Sequence, residues 1–471
     1  MTGRAGASYA NPALWVLAAL MLLTAAAVAA AQTTDRVYRS NPADEDWSFL
    51  KEAPKADIWD PAKYVRLGRD DRFMTVSGEV RFRPEGFRIR PSAERPAVVD
   101  NYLLQRYLFG VDTHFGPRTR VFAEIQSGII DGRLRSPRPT DQNTLDVHQA
   151  FVEWRRPLQA GRLFSVKVGR QELVLGSTRL ISASPGLNVK RSFDGAVVSY
   201  RAASWTLSGA VARLVALTRG TFNDGWTSGQ LFWGVAAGRR SPRFERGELG
   251  AYYLGLDRSL STYAQGIGPE QRHTLGMKWN GSGARLSLNY DGLFQWGSFG
   301  GAPIRAWAFA TETGYQATTR GWRPRLGLRM DLATGDRNAA DPRLEAFNPL
   351  FPGNSYSGAV GLFGPTNLTD LTPTLTLRPL RNVTLVAEAP SYWRTSSADG
   401  VYAADLRLLF RPDAGEGRYV GTNPGVLVDW QATRHCQLQA AITRFLPGAF
   451  VKNTFVSPGF GFYSASAVYR F

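Results

Sequence analysis

Between Ala284 and Trp296 the chain reads ARLSLNYDGLFQW. Leu286, Leu288, Tyr290, Phe294 and Trp296 fall on even positions with Gly292, while Arg285, Ser287, Asn289, Asp291 and Gln295 between them are polar; only Leu293 breaks the alternation. A period of two puts the two sets on opposite faces of a strand, one meeting an apolar medium and one meeting water. The apolar face ends in aromatics, as suits a strand reaching a membrane interface.

The same pattern recurs and predicts eighteen strands: 73–83, 102–114, 118–127, 145–155, 163–172, 192–200, 204–213, 229–237, 249–257, 272–279, 284–295, 302–314, 323–332, 368–377, 382–394, 420–432, 436–446 and 460–471. The fold expected is an all-β transmembrane antiparallel barrel with short periplasmic turns and longer extracellular loops. Short connections recur on one side, at 115–117, 156–162, 201–203, 280–283, 378–381 and 433–435, and the longest, 333–367, falls on the other. The apolar run 401–410 is assigned to an outside loop, because a nineteenth strand puts the C-terminus on the wrong side of the membrane. Trp154, Trp205, Trp279 and Trp322 mark the periplasmic rim, Trp296 and Trp393 the outer one.

Both ends agree with export to an outer membrane. Arg4, the apolar run 13–28 and Ala29-Ala30-Ala31 make residues 1–31 a cleavable signal peptide, and no later run of about 18 apolar residues suggests a membrane helix. Residues 32–72 do not alternate and read as a periplasmic lead-in to a barrel over 73–471. The terminal strand ends in Phe471, with Tyr469, Ala467, Ala465 and Tyr463 on its face. This resembles the assembly signal of bacterial outer-membrane barrels.

Charge narrows the partners. Residues 1–31 hold one arginine and no acid, so the remainder carries 55 basic and 39 acidic residues, a formal +16. No basic helix or aromatic RNA-binding strand is present, which leaves a polyanion in the pore, or outer-membrane lipid and lipopolysaccharide phosphates at the rim. The single cysteine, Cys436, excludes an internal disulfide framework.

Enzyme chemistry finds little support. His114, His148, His273 and His435 form no short-spaced ligand pair, and DLATGD at 331–336 is too sparse for a calcium loop, so neither metal nor cofactor is expected. His148 near Asp146, with Ser177 or Ser182 as nucleophile, is the one constellation worth checking. More telling is the polar face of the strands, where Glu79, Arg81, Arg83, Arg106, Asp112, Arg118, Arg120, Glu124, Lys167, Arg272, Lys278, Arg285, Asp291, Arg325, Arg329 and Asp331 include more cations than anions. Guanidinium groups take carboxylates in bidentate fashion, so a surplus of them in a constriction favours an anionic, carboxylated cargo.

The stretches DEDWSF, DPAKYVRL, SGEVRFR, DVHQAFVEW, VGRQELVLGSTRL, RSFDGAVVSY, RHTLGMKW and YWRTSSADGVY, spread from Asn41 to the C-terminus, resemble the alginate-export family of outer-membrane porins. The resemblance implies an eighteen-stranded barrel with an electropositive constriction that passes an anionic polysaccharide down its gradient, working with periplasmic export components. The candidate selectivity residues are Arg81, Arg106, Arg120, Lys167, Arg170, Arg285, Arg325 and Arg329, with Glu124, Asp291 and Asp331 as acidic partners that hold the arginines and prevent trapping. Arg170 breaks the alternation set by Val166 and Val168, so it needs a bulge to turn inward. The alternatives are a general or small-anion porin for uptake, a hydrolase on a barrel scaffold, and a barrel sealed by the 333–367 loop.

Overall fold

The computed structural model describes residues 36–68, 71–89, 96–240, 247–338, 340–353, 360–415, 417–452 and 459–471; the expected signal peptide lies outside them. Eighteen antiparallel strands form the wall: β1 (Arg72–Ile89), β2 (Val98–Phe115), β3 (Thr119–Asp131), β4 (Asn143–Pro157), β5 (Leu163–Gln171), β6 (Phe193–Arg201), β7 (Trp205–Ala216), β8 (Gln230–Arg240), β9 (Glu248–Tyr263), β10 (Gly266–Ser282), β11 (Leu286–Phe299), β12 (Ala302–Gln316), β13 (Arg325–Ala333), β14 (Leu368–Leu380), β15 (Val383–Glu388 with Ser391–Arg394), β16 (Tyr419–Thr422 with Gly425–Gln431), β17 (Cys436–Pro447) and β18 (Phe460–Arg470). Pro390 and Pro424 divide β15 and β16, since proline has no N–H for the ladder.

The wall closes where β1 pairs with β18, so no edge is left unpaired. Gly78 and Phe471 exchange backbone hydrogen bonds of 2.9 and 3.0 Å at the seam. A Cβ on Gly78 lands 2.4 Å from the Phe471 ring, so the terminal aromatic lies flat over a residue that has to be glycine.

All eighteen expected strands are present, and 401–410 forms a small separate hairpin, Val401–Tyr402 with Leu408–Phe410, outside the wall. Four strands run further outward than the alternation indicates. β9 meets β10 across residues 264–265, and β11 meets β12 across Gly300-Gly301, where the periodicity predicts longer loops. There the inner face packs on the outer connections, with Tyr263 and Phe299 buried beside Ile304, Leu344, Ala346 and Tyr402, but it also buries the polar Ser261 and Glu270, so pairing continues without a clean hydrophobic alternation to announce it.

On β3 the two faces separate as expected: Val121, Ile125 and Ile129 point out to lipid, while Arg120, Phe122, Glu124 and Gln126 are buried inside. The exception in β11 has a physical cause. Leu293 points into the lumen, where two extracellular connections, 172–192 and the described residues 340–353, fold back into the barrel. Leu173, Leu180, Ile181, Phe347 and Phe351 from these connections pack on Phe193, Phe232, Leu254, Leu256, Leu293, Ala306 and Ala308 of the wall. One side of the lumen is therefore an apolar core rather than a wet surface.

The lead-in enters the periplasmic mouth. Trp47 and Leu50 are buried, Val65–Arg66 pairs with β1, and Thr75 Oγ1 donates to the Lys63 carbonyl at 2.8 Å. Trp59 stacks on Phe471 with ring centroids 4.1 Å apart, and its Nε1 donates to Tyr469 Oη at 2.8 Å.

Candidate functional site: the lumen constriction

The connection after β5, residues 172–192, is long, apolar in its first half, and tethered along its length. At its base the Lys190 ammonium pairs with Glu172 and donates to the Ser40 carbonyl of the lead-in at 2.7 Å. At its tip Pro185 and Gly186 are exposed, and the wall holds their carbonyls from one side. Arg106 donates to Pro185 O and Leu187 O at 2.8 Å each, Arg81 to Leu187 O at 2.8 Å and Asn188 Oδ1 at 3.1 Å, and Arg83 to Gly186 O at 2.6 Å. On the opposite flank Arg179 reaches Asp331 at 2.9 Å and Asp291 at 3.2 Å, and Ser177 Oγ donates to Asp291 at 3.0 Å. Arg191 joins the two infolded connections, donating to Ser182 O at 3.1 Å and Pro352 O at 3.2 Å. Burial pushes the Arg191 guanidinium down to about 10, still charged at neutral pH.

The structure places Arg81, Arg106, Arg120, Lys167, Arg325, Arg329, Glu124, Asp291 and Asp331 on the inner face, but in different settings. Arg81, Arg106 and Arg120 are only 4%, 2% and 3% exposed, so they bracket the infolded segments instead of facing open water. Arg120 forks onto Asp112, reaches Glu153 at 3.3 Å and donates to Ala43 O at 2.7 Å. Arg329 lies 3.4 Å from Asp370 and 3.8 Å from Asp331, and Arg325 donates to Ser287 Oγ at 2.7 Å. Lys167 sits 4.9 Å above the Phe151 ring, with no carboxylate within 4 Å among the described residues.

Two candidates are not in the lumen. Arg285 is exposed in the periplasmic turn between β10 and β11, because β11 starts only at Leu286. Arg170 keeps the parity of Val166 and Val168: β5 is in unbroken register with both neighbours, no bulge intervenes, and its side chain points outward. There Nε and Nη2 take the two Asp194 oxygens at 2.8 and 3.0 Å. This cross-strand pair joins the two distinctive motif pieces, since Gly169 lies opposite Gly195 and Arg170 opposite Asp194. The motif thus builds the wall behind the constriction.

No triad forms around His148. The β3–β4 pairing slips between Glu124 and Ile125, and the resulting bulge turns His148 inward, with Nε2 at 3.1 Å from Glu172 and 3.8 Å from Glu124. Asp146 instead accepts the N–H groups of Asn223 and Asp224, and Ser177 and Ser182 are engaged elsewhere. Alternation analysis missed Arg179, Lys190 and Arg191 because they lie in a connection. The signal that could have found them is its composition: Leu173, Val174, Leu175, Leu180, Ile181, Leu187 and Val189 are too apolar for a water-facing loop.

A closed eighteen-strand barrel narrowed by inward-folded connections is an outer-membrane channel of the porin class. The chain belongs to the alginate export family, whose model matches residues 73–457. Among solved structures it is similar to Pseudomonas aeruginosa OccK8 (OprE), at TM-score 0.56 and 11% identity over 84% of this chain and 98% of that one. Acinetobacter baumannii OccAB3 is comparable, at TM-score 0.55 and 11% identity over 84% and 99%. Pseudomonas aeruginosa OpdK, solved with vanillate, aligns at TM-score 0.54 and 12% identity over 84% and 98%. No curated protein matches the chain.

Proposed function

We propose that this channel passes anionic carbohydrate, alginate or a related uronate, passively across the outer membrane. The observation that carries the reading is the presence of cations inside the barrel that are held in no close ion pair. Arg81, Arg191 and Lys167 have no carboxylate within 4 Å among the described residues, so the acidic groups further off, Glu79 and Glu85, Asp405, and Glu153 and Asp44 respectively, offset their potential only in part. In a low-dielectric constriction such charges concentrate anions and repel cations. Family membership supports the same class of cargo.

A second reading, a porin for small carboxylates, is favoured by the apolar packing of 172–192 and 340–353, which leaves less room for a polymer. The vanillate of the OpdK structure is a carboxylate of that size. Reversal potentials in a planar bilayer under a KCl gradient, followed by addition of oligouronate, separate the two. Anion selectivity with oligouronate block, both weakened in Lys167→Glu, supports the polyuronate channel. Anion selectivity without block supports the small-carboxylate porin, and cation selectivity refutes both.

A further inference from the structure

The outer surface over β11 and β12 carries a feature that transport through the lumen does not use. Phe294 lies opposite Trp307, and Trp296 opposite Arg305, all pointing away from the barrel interior. Trp296 also stacks on His273 with centroids 5.6 Å apart, and His273 Nδ1 is hydrogen bonded to Tyr253 Oη at 2.7 Å. This row of aromatics lies close to the extracellular tips of the strands, at the level of a membrane interface. Above it a recess of about 440 Å³ is lined by Phe294 and Trp307 below and by Arg305, Arg337 and Arg343 above.

The outer loop brings the three arginines together, through its backbone at Arg305 and through Glu345 at Arg337 and Arg343. Arg305 N donates to Leu344 O at 3.0 Å and Leu344 N to Pro303 O at 3.0 Å, which fastens the loop to β12 beside Arg305. Glu345, itself mostly buried, takes Arg337 at 2.7 Å and lies 3.9 Å from Arg343. One carboxylate therefore aligns two guanidinium groups, and Arg305 has none within 4 Å among the described residues. The side chains of Arg337 and Arg343 remain 76% and 46% exposed, so both can still bind.

An outward aromatic shelf beneath three clustered guanidinium groups complements a molecule that is a phosphate at one end and hydrocarbon at the other. We propose that this recess is a binding site for lipid A, the phosphorylated anchor of lipopolysaccharide in the outer leaflet. Its glucosamine phosphate is taken by Arg305, Arg337 and Arg343, and its acyl chains run down over Phe294 and Trp307. Guanidinium groups recognise phosphate by paired, charge-assisted hydrogen bonds. The acyl chains remove the aromatic shelf from water.

Native mass spectrometry of the full chain, extracted from outer membranes in mild detergent and titrated with bisphosphorylated lipid A, tests the site. One lipid A per barrel is expected, with affinity falling ~10-fold or more in Arg305→Ala/Arg337→Ala/Arg343→Ala. The periplasmic pair Arg320→Ala/Arg323→Ala, on exposed turn residues, should leave it unchanged. Heat-modifiable migration confirms that each variant is folded, and the single charge reversal Arg305→Glu serves if the triple variant does not assemble. Dephosphorylated lipid A should bind the wild type as weakly as lipid A binds the triple variant. Equal affinity of wild type and folded variants, or of the two lipids, overturns the proposal. Full competition by millimolar inorganic phosphate assigns the site to free phosphate and overturns the lipid.

Discussion

Arg179→Ala tests whether the infolded connection sets the size of the channel. Arg179 is the cation between Asp331, at 2.9 Å, and Asp291, at 3.2 Å, and all three side chains are largely removed from water. Removing one partner of a buried pair costs about 3–5 kcal/mol, mostly because the remaining charge is stranded. The low end applies here. Asp291 keeps Ser177, at 3.0 Å, and Asp331 keeps Arg329, at 3.8 Å. About 3 kcal/mol lowers the ratio of docked to undocked connection by about 100-fold. The arginine brackets at 81, 83 and 106 remain, so the tip stays tethered while the 177–181 flank loosens. Single-channel recordings should show a larger and noisier unitary conductance, with weaker anion selectivity. Arg179→Lys should recover part of the wild-type conductance, since the charge returns without the fork. Unchanged conductance, noise and selectivity in folded Arg179→Ala would refute the reasoning that this connection forms the constriction.

Two further outcomes follow from the wall and the outer loop. A Cβ on Gly195 falls 2.2 Å from Val211 O and 2.7 Å from Ala212 Cα, so Gly195→Ala must spread β6 from β7 at a cost of about 1–3 kcal/mol. Folding yield read by heat-modifiable migration should drop, whereas Gly225→Ala, at an exposed position with no atom within 4 Å of the new Cβ and no left-handed backbone to strain, should fold at closer to wild-type yield. Burial raises the Asp336 carboxyl in the outer connection to about 6, with nearby Asp399 adding to it and the Asn338 N–H opposing. Its folded value lies above the ordinary carboxylate value, so this contribution to docking is full below about pH 4 and is lost as pH rises through 6. Amide exchange over 340–353 should therefore quicken between pH 4 and 7 in the wild type, beyond the intrinsic rate change, and lose that dependence in Asp336→Asn.

The sequence by itself determined the wall. Alternation is a local property, because each strand must offer one face to lipid and one to the interior wherever it sits in the barrel, so Val121 and Ile125 announce their facing without reference to any partner. The even count and the seam at Phe471 follow from closure alone. The inward facing of Arg81, Arg106, Arg120, Arg325 and Arg329 was legible for the same reason. What those arginines touch was not, because their partners come from connections that obey no period. Arg81 and Arg106 meet carbonyls about 80 to 105 residues away, and Arg120 meets Ala43. Strand ends decided Arg285, and an intact ladder opposite Asp194 decided Arg170. Only the tertiary structure converts Leu293 from an exception into the floor of an apolar core, since its reason is the loop that folds onto it.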